Sequence, residues 1–395
     1  MKIIALLVLL SAACYAQVNF TTVTSFNGTN GSTPGPSALI VDNSGNLWGT
    51  TEAGGSNNAG TVFEISGGVL LTVYSFCSQA SCADGSTPIG GLKLGGDGKF
   101  YGTTSQGGAN GCGTFFSLSS SGTLTTIHSF CADSSDGASP QGAPFGDSIG
   151  GNYNLIDVTT FGGGSSGTGT IFAYDFVSAK SETFDSFCAG QTCGAHPAGS
   201  VVAGYYIDML GTASSGGMNN AGTIFTLHYT GLGTAYYFCS QANCADGANP
   251  GPTLTRCIGS CYLGVTSAGG ANGRGTVFAF NHAARNSVPF HTLHSFCAEG
   301  SCTDSAAPVG GVVVSPKGIT YGTTTLGGAN QEGTLYGLSA DGKAFTTVYS
   351  FCALPGCPDG QNPSSDLVEV GGRFYGTTST GGANGMGTVY SFTAP

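Results

Sequence analysis

Short apolar and aromatic runs alternate with glycine-rich polar turns along the whole chain. Residues 89–130 show the pattern: "IGGLKL", "KFYGTT", "GTFFSL" and "TLTTIHSF", separated by "GGDG", a longer "SQGGANGC" and "SSSG". Each run is strand length, and the connectors carry hairpin chemistry. On "GTFFSL", Phe116 and Leu118 share one face by two-residue alternation, as do Phe63 and Ile65, Phe225 and Leu227, and Phe278 and Phe280. No segment sustains a helical period. The runs therefore predict four strands per unit, lettered a to d, with the paired side chains of strand c packing between neighbouring units.

Two markers count the units. Gly-Thr followed by apolar residues occurs at Gly60, Gly113, Gly169, Gly222, Gly275, Gly333 and Gly387. Strands ending in an aromatic close at Phe26, Phe76, Phe130, Phe187, Phe238, Phe296 and Phe351. The spacing of about 50 to 58 residues suits a propeller blade of four strands. The chain opens with "FTTVTSF", a d strand lacking its c strand, and closes with "GTVYSF", a c strand lacking its d strand. The expected fold is all-β: a seven-bladed propeller of four-stranded antiparallel blades, closed by the N-terminal strand on the last blade. Its boundaries would be 37–76, 88–130, 140–187, 197–238, 250–296, 308–351, and 363–393 joined by 17–26, within one domain over 17–395.

In an a-b-c-d meander, the b–c and d–a loops share one face. "YGTT…GGANG…GT" and "SFC…DG…P" then lie together, with Asp84, Asp246, Asp359 and Asn30 as candidates for Asx turns. Asp84, Asp136, Asp246, Asp304 and Asp359 recur one per loop, too dispersed for the six to eight oxygens that Ca²⁺ takes. The phrases "YGTTSQGGANGCGTFF", "YGTTTLGGANQEGTLY" and "YGTTSTGGANGMGTVY" resemble the GloVer tandem repeats of secreted bacterial proteins. The resemblance covers nearly all of the mature chain. Three units depart from it, with "DVTT", "LGTA" and "LGVT" in place of "YGTT". The resemblance implies export and brings no catalytic residues.

Charged residues are only 8% of the chain, while hydrophobic residues reach 40%, so the composition suits a folded protein rather than a disordered one. The net charge is −11 and the 10 Lys and Arg form no stripe, which argues against nucleic acid as a partner. "MKIIALLVLLSAACYAQ" has Lys2, a short apolar run and small residues, the pattern of a signal peptide over 1–16 cleaved after Ala16. A lipoprotein would instead begin at Cys14, but Ser11 is a poor match for that signal. No stretch reads as a transmembrane helix.

Cleavage removes one of 15 cysteines. Five of the remaining pairs have the spacing Cys-x4-Cys after strand d: Cys77–Cys82, Cys188–Cys193, Cys239–Cys244, Cys297–Cys302 and Cys352–Cys357. Cys257 and Cys261 flank an a–b turn. A hairpin turning at Ser121-Gly122 would set Cys112 opposite Cys131. Seven disulfides fit this spacing better than zinc, whose four ligands would have to come from different blades.

Chemistry is sparse. The six histidines have no metal spacing, and His128 and His294 fall where Tyr74 and Tyr349 stand in other units, which reads as packing. Arg256, Arg274, Arg285 and Arg373 are scattered, and no nucleophile elbow or phosphate loop has a suitable context. A ligand site breaks the symmetry of a ring, so departures are informative. Before the Gly-Thr marker most units carry a small residue, but three carry Arg274, Glu332 and Met386; Trp48 with Glu52, and His196, are further departures. These residues are expected on one face, with Arg274 and Glu332 as a candidate ion pair. The expected function is a secreted, noncatalytic, monomeric propeller without cofactor or metal, binding an extracellular glycan or cell-surface protein there. The alternatives are a glycan-active hydrolase or lyase with a site at the central channel, and a structural envelope component.

Overall fold

The computed structural model describes residues 18–149, 152–163, 166–175, 178, 180–188, 193–197, 199–204, 208–228, 230–283 and 289–394, with backbone alone at 147–149 and 152–161. The signal segment, Cys14 and Arg285 lie outside the described residues.

The strands form seven sheets: 32–75, 92–129, 138–186, 194–237, 248–295, 306–350, and 361–393 completed by Thr21–Ser25. They are numbered here 1 to 7. Each touches the next, and sheet 7 touches sheet 1, so the sheets close into a propeller ring. All the pairings between strands are antiparallel, as expected for a meander. The four-stranded blade, however, is corrected. Among the described residues six of the sheets have five strands and sheet 2 has four.

The fifth strand comes from the segment after Asp-Gly, which the sequence assigns to a loop. In sheet 1, Ser32–Pro34 pairs with the top of Leu47–Ala53, and Ile40–Val41 pairs with its lower part. The innermost strand is thus split in two. The split has a physical cause. The residue before each proline is in the left-handed region (Thr33 φ 53°, His196 φ 55°, Asn362 φ 51°), and proline itself cannot donate to the ladder. In sheet 2 a single Ser86–Gln106 bridge stands in the same place.

The core lies between sheets. The aromatic that ends strand d of one sheet meets, edge to face, the aromatic of strand c in the next: Phe76 on Phe116, Phe238 on Phe278 and Phe351 on Tyr390, at 5.2, 5.3 and 5.1 Å between ring centres. Closure repeats this contact. Thr21–Ser25 pairs with Thr388–Thr393, and Phe26, fully buried, meets Phe63 of sheet 1 at 5.1 Å. Phe20 stacks on Tyr349 at 4.0 Å.

All seven predicted disulfides are present. Cys112 and Cys131 lie 5.9 Å apart at Cα. Their register depends on a bulge between Thr126 and His128, which recurs in the outer hairpin of the other sheets.

Candidate functional site

The repeated phrase forms the seam between sheets. The carbonyl before each Gly-Thr accepts a hydrogen bond from the left-handed residue of the next sheet. Ala59 accepts from Thr87, Cys112 from Ser139, Thr168 from His196, Ala221 from Asn249, Arg274 from Ala307, Glu332 from Asn362 and Met386 from Thr33, all at 2.8–3.1 Å. The following proline packs on the glycine of Gly-Thr. At Gly387 (φ +94°) an added Cβ would sit 2.6 Å from Pro34 Cδ and 2.4 Å from the Thr378 carbonyl oxygen. The second Thr of "YGTT" bonds to the Thr of Gly-Thr, as in Thr104 to Thr114 at 2.9 Å. The Asn of "GGANG" donates to the aromatic's carbonyl, as in Asn110 to Phe130 at 3.0 Å.

The recurrent aspartates are spent in the same way. Asp84 accepts from the Ser78 and Gln79 amides at 2.9 and 3.1 Å and from the Tyr74 hydroxyl at 2.8 Å. Burial alone would raise its pKa, but these donors hold it below the ordinary aspartate value. Asp246 and Asp359 repeat the tyrosine contact, and Asp136 takes His128 Nε2 at 2.9 Å instead. These groups reach back to the loop after strand d rather than forming local Asx turns; Asn30, which accepts from the Asn27 amide, turns back within its own loop. Among the described residues no group of three or more His, Cys, Asp or Glu could hold a metal ion.

The departures from symmetry divide. Arg274 is exposed and Glu332 half-buried, at corresponding positions of sheets 5 and 6 on the loop face, and no ion pair links them. His196 is on the same face, where its Nδ1 meets Ser215 Oγ at 2.7 Å. Glu52 is half-buried near the loop end of its strand, and burial raises its carboxyl pKa. Trp48 belongs elsewhere. Strand b rises from the a–b turn, so four residues separate Trp48 from Glu52 by about 13 Å. The indole is 1% exposed, stacks on Phe100 at 4.0 Å and donates to Asp42 at 3.0 Å. It is a core residue locking the a–b turn.

Sequence reasoning missed three features. The first is a set of exposed apolar side chains on the loop face. Met218, Leu326, Leu354 and Met386 are 63%, 46%, 53% and 38% exposed, Leu326 at a strand end and the others on loops of sheets 4 to 7. The second is a cavity of about 360 Å³ on the ring axis, lined by residues of all seven sheets. There the third residue after each proline is small, as in Gly91, Ala143, Ser200, Thr253 and Gly311, except that sheet 7 has Asp366. Asp366 accepts from Thr253 Oγ1 at 2.7 Å and from the Gly311 amide, and burial raises its pKa. A lone acid in that repeat position was the available signal. The third is Asp208, whose fully buried side chain meets His282 Nε2 and lies 3.8 Å from His228 Nε2, joining sheets 4 and 5.

Among the described residues no helix is long and apolar enough to cross a membrane. No curated protein matches the chain. Solved structures share the fold alone. The extracellular domain of the one component system BT4673 from B. thetaiotaomicron is 10% identical, with TM-score 0.59 over 96% of this chain. This chain spans only 42% of that protein. The Dos1 propeller is 11% identical with TM-score 0.52, covering 92% of this chain and 88% of its own. Oligogalacturonate lyase in complex with manganese is 9% identical with TM-score 0.51, covering 96% and 97%. The profile of the Gloeobacter/Verrucomicrobia repeat matches residues 12–157 and 262–395, and the span between them holds "LGTA" and all but the first residue of "DVTT". With that match over most of its length, and with the family's phrase resolved as the seam between its sheets, the chain belongs to the Gloeobacter/Verrucomicrobia repeat family.

Proposed function

We propose that this protein is a secreted, noncatalytic propeller that binds an extracellular glycan or protein partner on its loop-rich face. The observation that carries the reading is the division of that face. The repeated polar groups are consumed by the seam, whereas the same face over sheets 4 to 7 exposes Met218, Leu326, Leu354, Met386 and Arg274 and carries the half-buried Glu332. Exposed apolar side chains on a face that also carries charges of both signs suit a partner surface. Loops already tied by disulfides and hydrogen bonds lose little further freedom on binding. Seven disulfides fit an oxidising compartment. The hydrolase or lyase alternative needs two converging acid and base groups, but the recurrent loop aspartates are engaged and, among the described residues, Asp366 is the one acid lining the axial cavity.

The test screens the purified protein on a glycan array and against intact bacterial cells. Leu354→Asp and Met386→Asp should weaken the binding found by about tenfold or more, with unchanged melting. Ile258→Asp, on the opposite face and 98% exposed, should leave it unchanged. Loss with Ile258→Asp alone would move the site to the other face.

A further inference from the structure

We infer that the axial cavity binds a small zwitterion with an apolar body, of the chemical class of an apolar amino acid, its ammonium held by Asp366 and its carboxylate by Lys93. The inference is independent of the loop-face reading, since the cavity is a different place and uses different residues.

Much of the wall is apolar, with Pro36, Ile89, Pro252 and Val309 from four sheets. Among the described residues two ionisable side chains break it: Asp366 from sheet 7 and Lys93 from sheet 2. Both depart from the repeat. Where sheet 2 has Lys93, the matching inner-strand residues of sheets 1 and 6 are Ile40 and Val313. The two charges do not neutralise each other, because no ion pair joins them within 4.0 Å. Among the described residues Asp366 has only neutral donors, Thr253 Oγ1 and the Gly311 amide, which aim the carboxylate. A carboxylate has about four acceptor positions, so two remain for an incoming ammonium.

A charge set in an apolar wall is unfavourable until it is compensated. An amine alone would compensate Asp366 and leave Lys93. An acid alone would do the reverse. A neutral sugar would compensate neither. A molecule carrying both charges on an apolar body answers all three features. The volume, about 360 Å³, is at the small end of ligand sites, which fits one amino-acid-sized guest.

The experiment is calorimetric titration of the full mature chain with three probes: leucine, 3-methylbutylamine and 4-methylpentanoate. Leucine should bind, and the two single-charge probes should bind at least about tenfold more weakly. Asp366→Asn, which keeps the shape and the acceptor for Gly311, should lose about tenfold for leucine and for the amine but not for the acid. Lys93→Met should give the mirror result. Lys93 does not share the Asp366 hydrogen bonds to Thr253 and Gly311, so its variant stays informative if Asp366→Asn melts early. Leucine binding no tighter than the analogues, equal binding by both variants, or no saturable binding of any probe would overturn the inference. Neither substitution should alter partner binding by the loop face.

Discussion

The seam on the loop face and the collar around the axis are built from adjoining residues, yet they obey opposite rules. At the seam every sheet makes the same contact, a carbonyl before Gly-Thr with a left-handed residue, and at six junctions a proline packs on the glycine. Three residues further on, at the collar, the identities scatter over Gly, Ala, Ser, Thr and Asp. The seam must close a ring, and a ring tolerates no weak junction. The collar only has to fit around a cavity, so its residues are free to differ. In this protein repetition marks what holds the ring, and departure marks where to look for a ligand.

The most damaging change to the seam removes a partner outright. Deleting residues 18–26 takes away the strand on Thr388–Thr393 and the Phe26 contact with Phe63. It should cause aggregation, or lower the melting temperature by more than about 10 °C. A melt unchanged by this deletion would show that the junction between sheets 7 and 1 carries little. A single atom is the next test. Gly387→Ala adds a Cβ against Pro34 and the Thr378 carbonyl and should cost about 3 kcal/mol. Gly45→Ala has a similar φ of +84° but open space, and should cost about 1 kcal/mol. Equal costs in chemical denaturation would mean that the proline contact is unimportant.

Cys112 both carries a seam carbonyl and closes a 19-residue separation to Cys131. Replacing both cysteines by alanine should cost about 3 kcal/mol, against about 2 for a six-residue loop such as Cys77 to Cys82. Denaturant midpoints of the two double variants decide the order.

The collar should respond with the opposite sign. Burial raises the pKa of Asp366, so the folded protein holds that proton longer than the unfolded chain. Its contribution is fully present below the unfolded value of about 3.9 and is lost as pH rises through the folded value. Asp366→Asn should therefore melt a few degrees higher than the parent at pH 7 and equal it below about pH 4. A lower melt at pH 7 would make the charge a seam-like tie. Asp84 runs the other way. Its contribution is present above about pH 4 and is lost as pH falls through its lowered value.

The smallest effect repairs a seam. Sheet 4 has Ala213 where sheets 1, 2, 5, 6 and 7 have the bonding threonine, and Thr223 Oγ1 is left buried without a partner. Ala213→Thr should gain about 1 kcal/mol in urea unfolding. No gain would mean that the threonine pair elsewhere is ornamental.

The seam was legible in the sequence because it repeats. The strand periods, the closing N-terminal strand and every disulfide follow from spacing. The split inner strand was not legible, because "DGSTP" has turn composition and its pairing depends on a left-handed residue that composition does not reveal. Trp48 looked like a surface departure because its partners, Asp42 and Phe100, are six residues away and in another sheet. Asp366 and Lys93 stand out only after the sheets are superposed by register. A single acid in a small-residue position is invisible until that position is known to face the axis.

The closing strand also dictates a timetable. Asn384 donates to the Phe26 carbonyl across 358 residues of chain. The segment that is synthesised early is thus the last to find its place, since strand c of the final sheet must exist first. Until then Phe20 and Phe26 have no pocket, and sheet 7 presents a bare edge. Such a long loop closure is slow. The chain should therefore pass through a ring that is complete in all but one strand, and this open ring is the species that holdase chaperones would recognise. Pulsed hydrogen exchange should find the amides of Thr21–Ser25 protected last.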